Sequence, residues 1–381
     1  MKFGFFLMPC VHHGENPTLV FERKLELIEY AESLDFDEVW TGEHHSGGWE
    51  IIPAPDIFIA AAAQRTKRIR LGTGVVNLPY HNPFDVAERM AFLDHLTYGR
   101  AMLGVGSGAL LTDIKMFGLD PTKQRAMMDE SLEVILRLFR EDGPITHEGE
   151  YWQYKEIELQ VKPFQDPHMP VAIASIGSRH TIELAAKNEL MLLHLGFGQG
   201  ATPEALSTFW GRVEENAAEA GTVARREDWR FVAYIHLADT PEQAWADVDA
   251  GAMRELKDYF FHIGHQPLYE DYPGQPAEEI NFEQAQRKAA WMVGDPDQCI
   301  RWLKELNEAA GGFGGVLLIP TEWTSTEKLY HSLDLFARYV VPELTGSNRG
   351  MKRSWERMVA DSAAGALPVS PSQAERLERE R

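Results

Sequence analysis

Glu43, His44 and His45 stand side by side in VWTGEHHSGG, Val39–Gly48, where an apolar run gives way to a glycine-bearing loop. Imidazole is the side chain that titrates near neutral pH, so a histidine here can hold or deliver a proton. A carboxylate and two imidazoles are also metal-ligand types. Neighbouring residues project differently, however, and a site needs three or four convergent ligands. The sequence has no H-E-x-x-H and no paired cysteines, although His12 and His13 could converge with the trio in space. A metal-dependent hydrolase therefore stands as an alternative, and a plain structural turn as another.

A second candidate is ASIGSRHT, Ala174–Thr181. It closes an apolar run and opens a helical pattern, and the free N–H groups of a helix start favour an anion. Gly177 permits close approach, Ser178 and Thr181 offer hydroxyls, and Arg179 offers charge if it turns inward. An ordinary N-cap serine with a surface arginine gives the same text. In IRLGTGVVNLP, Gly74 either lets backbone approach a ligand or makes a bulge, and Asn77 either meets a ligand's polar edge or satisfies a strand end. Phe6, Met8, Trp49, Ile51, Met116 and Phe117 lie at or beyond strand ends. They form a hydrophobic pocket or belong to the core.

The elements that must position these residues alternate. Strand-like runs at Lys2–Leu7, Phe36–Thr41, Ile69–Leu78, Ala101–Val105, Val171–Ala174, Met191–His194, Trp229–Ala238 and Gly315–Ile319 are separated by helical patterns, among them Pro55–Arg65 and Pro241–His262. About eight βα units with right-handed crossovers predict an α/β fold, a (β/α)8 TIM barrel, with active residues at the strand C-termini. A doubly wound open sheet is the runner-up, but MPCVHHGEN is not its Gly-rich dinucleotide turn. The barrel is expected over 1–344 as one domain. Three insertions interrupt it: a long loop near 107–122, a hairpin over 145–162 turning at Gly149, and a Pro-, Gly- and acid-rich segment at 264–281 that serves as a mobile lid or a solvated loop. Residues 345–381 form a tail, with an amphipathic helix in MKRSWERMVADSAAG and a charged end.

The 381 residues carry a formal net charge of -21. Such a charge repels phosphate backbones and anionic lipid, so neither nucleic acid nor membrane is an expected partner. Cys10 and Cys299 make neither a disulfide framework nor a metal spacing, and the N-terminus lacks a signal peptide's h-region, which points to the cytoplasm. No run approaches the about 20 apolar residues of a membrane helix.

FGFFLMP, DFDEVWTGEHH, IRLGTGVVNLP, HNPFDVAERMAFLDHLTYGR and GVGSG follow one another in order. Together they resemble the bacterial luciferase-like family of flavin-dependent monooxygenases. GENPTL, GEHHSGGWEIIP and LPYHNP are most similar to its limonene monooxygenase branch. The resemblance implies reduced flavin, FMN or alternatively FAD, supplied by a separate flavin reductase. Oxygen adds to it to give a flavin peroxide, and a small hydrophobic substrate such as a terpene, ketone or aldehyde is oxygenated. It assigns catalysis to His44, with His45 beside it. It implies a cis peptide at Gly74–Val75 under the flavin ring, Asn77 at its polar edge, and a phosphate at Gly177, Ser178, Arg179 and Thr181. Relatives carry Cys-Arg where this chain has Gly106-Ser107, so Ser107 and backbone amides must replace the arginine at the phosphate. Arg125 either binds flavin or braces its loop. The helices holding Ile57–Ala63 and Met90–Leu93 match a homodimer interface; the first of them is apolar nearly all round, as a helix buried on both faces is. Two further readings remain on the same barrel: an F420-dependent oxidoreductase, and a flavin-binding module without catalysis.

Overall fold

The computed structural model describes all residues except 9, 197–200, 369, 373–375, 377–378 and 380–381. Its strands are β1 Lys2–Leu7, β2 Glu38–Thr41, β3 Arg70–Thr73, β4 Val76–Asn77, β5 Ala101–Gly106, β6 Ile145–Glu148, β7 Gln153–Ile157, β8 Val171–Ser175, β9 Met191–Leu195, β10 Trp229–Ala233, β11 Ile235–Leu237, β12 Met292–Gly294 and β13 Gly315–Leu318. The order β3-β2-β1-β13-β10-β9-β8-β5 closes on itself through β3–β5, giving a parallel eight-stranded TIM barrel. Register is set by pairs such as Phe5↔Val39 and Leu71↔Ala101.

Side-chain alternation along the strands explains the closure. Phe5, Leu7, Val39, Leu71, Leu103, Ile173, Leu192, Phe231, Val316 and Leu318 belong to one core cluster, which includes the surrounding helices. Their neighbours Phe6, Trp40, Met102, Ala172, Leu193, Val232 and Leu317 belong to a second. Strands apolar on both faces are what a barrel wrapped by helices requires. Across the floor, the Arg230 guanidinium donates to Glu38 at 2.5 and 3.2 Å, and the Trp40 indole N–H donates to the same carboxylate at 3.2 Å.

Several expectations need correction. Ile69–Leu78 is not one strand: it breaks between β3 and β4, where the Gly74–Val75 peptide is cis. Trp229–Ala238 also splits, because β11 leaves the barrel to pair with β12, whose three residues are too short to show periodicity. The 107–122 insertion is not all loop; Leu111–Phe117 is helical and ends on Gly118 in the left-handed region. The Pro241 helix is α-helical to Glu255 and then winds as a π-helix over Leu256–Phe260. Segment 264–281 is folded: Gln275 and Gln284 exchange side-chain hydrogen bonds of 3.2 and 2.7 Å, and Tyr269 and Ile280 are buried. The hairpin β6–β7 is as expected, with Gly149 between its strands.

Helix Pro55–Arg65 is not buried on both faces. Ile57 is 69% exposed, and Phe92 on the adjacent helix Pro83–Leu96 is 60% exposed. In the tail, helix Arg349–Ala363 buries none of its residues and shows Met351, Trp355, Met358 and Val359 along one side. Much of the charged end beyond it lies outside the described residues. Among the described residues, no helix is long and apolar enough to cross a membrane.

Candidate active site

The loop after β2 turns back on itself, with His44 N–H bonded to the Ile52 carbonyl, and this holds His44 and Glu50 close together. His44 Nε2 lies 3.1 Å from Glu50 Oε2, and its Nδ1 lies 3.2 Å from Asp113 Oδ2 on helix Leu111–Phe117. Both carboxylates are buried, whereas the His44 side chain is 24% exposed. Asp113 is fixed by the His45 backbone N–H at 3.2 Å and by the Ser46 hydroxyl. Glu50 accepts the Tyr259 hydroxyl at 3.0 Å, and Tyr259 stacks on Trp49 with centroids 5.7 Å apart. Burial disfavours charge on His44, but Glu50, Asp113 and Glu43 outweigh it and hold the imidazole above its usual pKa. Burial alone would raise Asp113; the bonds from His44 and Ser46 bring it below the ordinary carboxylate range. Burial and then Glu50 push the Tyr259 hydroxyl far up, so it stays a donor.

A second network surrounds Glu43. Its Oε1 accepts from His45 Nε2 and His81 Nε2, each at 2.7 Å; its Oε2 accepts the Asn77 backbone N–H at 2.9 Å; its carbonyl accepts Asn77 Nδ2 at 3.1 Å. Ligand-type atoms of Glu43, His45 and His81 lie within 4.8 Å of one another. The two imidazole Nε2 atoms both face the same Glu43 oxygen at 2.7 Å, the arrangement of a hydrogen-bonded cluster. His44 belongs to the other network. His12 and His13 do not join either: His12 Nε2 is 2.8 Å from the Glu322 carbonyl, and His13 packs on Trp49. The edge of Phe117 meets the His45 ring, and Tyr80 stacks on Phe117.

Beside these networks, Gly74 N–H donates to the Thr41 carbonyl at 2.6 Å. A Cβ at Gly74 would come within 2.8 Å of Trp40 Cβ, and one at Gly106 within 2.6 Å of Val75 Cγ2. Bare backbone is therefore required on both sides of Val75. The Ser107 carbonyl accepts from Gln124 at 3.0 Å.

At the end of β8 the hydroxyls of Ser175, Ser178 and Thr181 converge. Thr181 Oγ1 is 2.9 Å from both serine oxygens, and Gly177 N–H donates to Ser175 at 3.0 Å. Gly177 takes φ +91°, a left-handed conformation that favours glycine, and Ser178 caps helix Arg179–Asn188. Three hydroxyls at a helix start suit a phosphate. The Arg179 side chain is 88% exposed and bonds Glu183 at 2.5 Å, so its charge points outward here; Arg125 is exposed too. The donor set fits the phosphate of a flavin through hydroxyls, amides and the helix dipole.

The structure thus brings His44, His45, Asn77 and the Gly74–Val75 bond together, with Gly106–Ser107 behind Val75. It places Gly177, Ser178 and Thr181 at the C-terminal end of another strand. Of the pocket candidates, Trp49 and Phe6 are buried, while Met116 is 55% exposed. Sequence reasoning missed Asp113, Glu50, Tyr259 and His81. Asp113 lay in a segment read as loop, and Tyr259 in a long helical pattern. Glu50 follows the histidines closely enough to have been a signal.

The chain also has named relatives. The family description "luciferase-like monooxygenase" matches residues 1–312. The chain is 39% identical over 357 residues to 4-hydroxyprotoasukamycin monooxygenase of Streptomyces nodosus subsp. asukaensis, covering 93% of this chain and 95% of the relative. It is 35% identical over 379 residues to limonene 1,2-monooxygenase of Rhodococcus erythropolis, covering 100% and 96%. Among solved structures, the oxygenating constituent of 3,6-diketocamphane monooxygenase from Pseudomonas putida, in complex with FMN, superposes with TM-score 0.75 at 25% identity, over 90% of this chain and 98% of that one. A closed barrel, the histidines at its rim and full-length similarity to named monooxygenases converge: this chain belongs to the luciferase-like monooxygenase family.

Proposed function

We propose that the chain is a flavin-dependent monooxygenase that uses reduced FMN, delivered by a separate reductase, and O2 to oxygenate a small hydrophobic substrate. The observation that carries this reading is His44, partly open at the barrel rim between Glu50 and Asp113, which hold its imidazole above the usual pKa. The separate reductase is supported by a relative named as the oxygenase component of a trigonelline monooxygenase, 28% identical over 267 residues. FMN is supported by the diketocamphane enzyme's complex.

When bound, reduced flavin supplies two electrons to O2. The chain's residues do the rest. Ser175, Ser178, Thr181 and the Gly177 amide region hold the phosphate. The bare backbone at Gly74, Val75 and Gly106, with Asn77 and Ser107, receives the ring system. Glu43 fixes His45 and His81 as part of the wall. His44 holds a proton at the reacting face. The apolar rim, with Phe117, Phe6 and Met8, excludes water and accepts a hydrophobic substrate.

The test is anaerobic binding of reduced FMN, reduced FAD and reduced F420, followed by rapid mixing with oxygenated buffer. Reduced FMN is expected to bind and to reoxidise through a transient whose absorbance differs from both free forms. His44→Ala should retain FMN binding and lose oxygenation by about 100-fold or more, the usual contribution of a positioned acid or base. Reoxidation at the rate of free flavin would count against the reading. Hydride exchange with F420 alone would replace it with the dehydrogenase alternative.

A further inference from the structure

Helix Leu111–Phe117 follows β5 and makes its polar contacts with the loop after β2. In the barrel, β3 stands between those two strands and pairs with each. The helix therefore bridges the C-terminal end of β3, where the Gly74–Val75 bond and Asn77 lie. Only two of its seven residues, Asp113 and Ile114, are buried, while Leu111, Met116 and Phe117 are exposed. No side chain caps its start, and glycines in the left-handed region stand on either side of it, Gly108 at φ +79° and Gly118 at φ +65°. Seven residues are too few to hold a helix in water unaided. Apart from Ile114, contacts with the rim keep this one in place. Asp113 meets His44 Nδ1 at 3.2 Å, the His45 amide at 3.2 Å and the Ser46 hydroxyl. Thr112 accepts from Ser46 at 2.7 Å, and Phe117 packs on Tyr80 and His45.

We infer that this helix is a lid over the barrel mouth, with Gly108 and Gly118 as its pivots and the Asp113–His44 contact as its latch. The inference rests on the flavin-monooxygenase reading for what passes beneath. Flavin ring and substrate reach the end of β3 when the helix lifts, and are enclosed when it settles. The latch has a chemical condition. The charged groups acting on His44 are all acidic: Glu43 from the end of β2, Glu50 from the following loop and Asp113 from the lid. Tyr259, from the π-helical turn, bonds Glu50 and brings only a neutral hydroxyl. Asp113 in turn faces His44, Ser46, the His45 amide and the Tyr80 phenol, which burial keeps protonated. A charged imidazole holds the lid by an ion pair, and a neutral one by a single hydrogen bond at most. Closing the lid gives His44 one more acid, and lifting it takes that acid away. Closure and proton uptake by His44 are therefore linked. The latch is complete below the midpoint that His44 has with the lid open, so long as Asp113 is ionised. It is lost as pH rises through the higher midpoint of the closed form.

The latch is tested in flavin-free protein by hydrogen–deuterium exchange, read on the amides of 111–119. So short a helix is unprotected once undocked, so protection there reports a closed lid. Asp113→Asn should speed exchange of this segment by about 10-fold or more, the effect of losing a charge-assisted hydrogen bond, with the barrel-strand amides unchanged. In the parent chain, protection corrected for intrinsic exchange rates should fall as pH rises through the His44 midpoint. Protection indifferent to both changes overturns the inference. The lid itself is tested by combining Ser46→Cys with Thr112→Cys, which puts two thiols where hydroxyl oxygens stand 2.7 Å apart. The chain's own cysteines, Cys10 and Cys299, are buried. Oxidation of the new pair should slow association of reduced FMN by about 10-fold or more, and dithiothreitol should restore it. A locked protein that takes up reduced FMN as fast as the unlocked one overturns the lid and leaves the flavin reading standing. A parent chain that binds no reduced flavin overturns the flavin reading instead, and the exchange measurement, made without flavin, still decides the latch.

Discussion

Glu255 is buried on the helix that also carries Tyr259, one turn before it, and no step proposed above uses it. Burial, with the charges of Glu50 and Glu322, pushes its carboxyl up to about 7, against a partial pull from Trp323 and Lys24. A carboxyl raised by folding contributes stability that is complete below its unfolded value and is lost as pH rises through the folded one. Glu255→Gln keeps the shape without the charge. Urea unfolding should show the variant gaining on the parent chain between about pH 5 and 8, by up to about 3 kcal/mol. A gap that does not change with pH would mean that Lys24 already meets the charge. Residue type made His44 only one candidate proton carrier, beside a structural turn or a metal site, and it was the family resemblance that singled it out from His45. Its partners were not legible. Asp113 lies 69 positions away and Tyr259 lies 209 positions from Glu50, and nothing local marks an acid or a tyrosine that becomes a partner only when the barrel closes.

Among the elements, β2 and β10 are separated in the barrel by β1 and β13, yet they are tied across the floor by Glu38 and Arg230, which are 2% and 5% exposed. Removing one member of a buried pair strands the other. Glu38→Ala should cost about 3–5 kcal/mol in chemical denaturation, while binding at the flavin site proposed for the opposite end of the barrel should persist in the fraction that remains folded. A loss below about 1 kcal/mol would show that the Glu227 carbonyl, which Arg230 also reaches, suffices for the charge. The eight barrel strands were readable because each is a short apolar run bounded by turn residues. The departures have local causes. β3 and β4 part at a cis peptide, which periodicity does not encode. β12 is too short. Helix Leu111–Phe117 has seven residues and no side-chain cap, so it lacks the signals that announce a helix start.

For the whole molecule, helices Pro55–Arg65 and Pro83–Leu96 and the turn just beyond expose several large apolar side chains: Ile57, Phe92, Leu96 and Tyr98, the last 83% exposed. A patch of that kind marks an interface. A homodimer through this face is the expected state. Phe92→Glu should convert it to monomer in sedimentation velocity at micromolar concentration while leaving reduced FMN binding in place; an unchanged mass would move the interface elsewhere, the Met351–Val359 side of the tail helix being the next surface to probe. The net charge of -21 disfavours association beyond such a dimer. Barrel closure also shapes how the chain is made. Lys2 pairs with Gly315, so one edge of the first strand has its partner only after more than 300 residues have been joined. At ribosomal speeds of roughly 5–20 residues per second, that is on the order of 15–60 s during which a nascent, strongly apolar FGFF edge is exposed. β2 covers the other edge early. The open edge is where a holding chaperone has most to offer during synthesis, and where two unfinished chains would first pair wrongly.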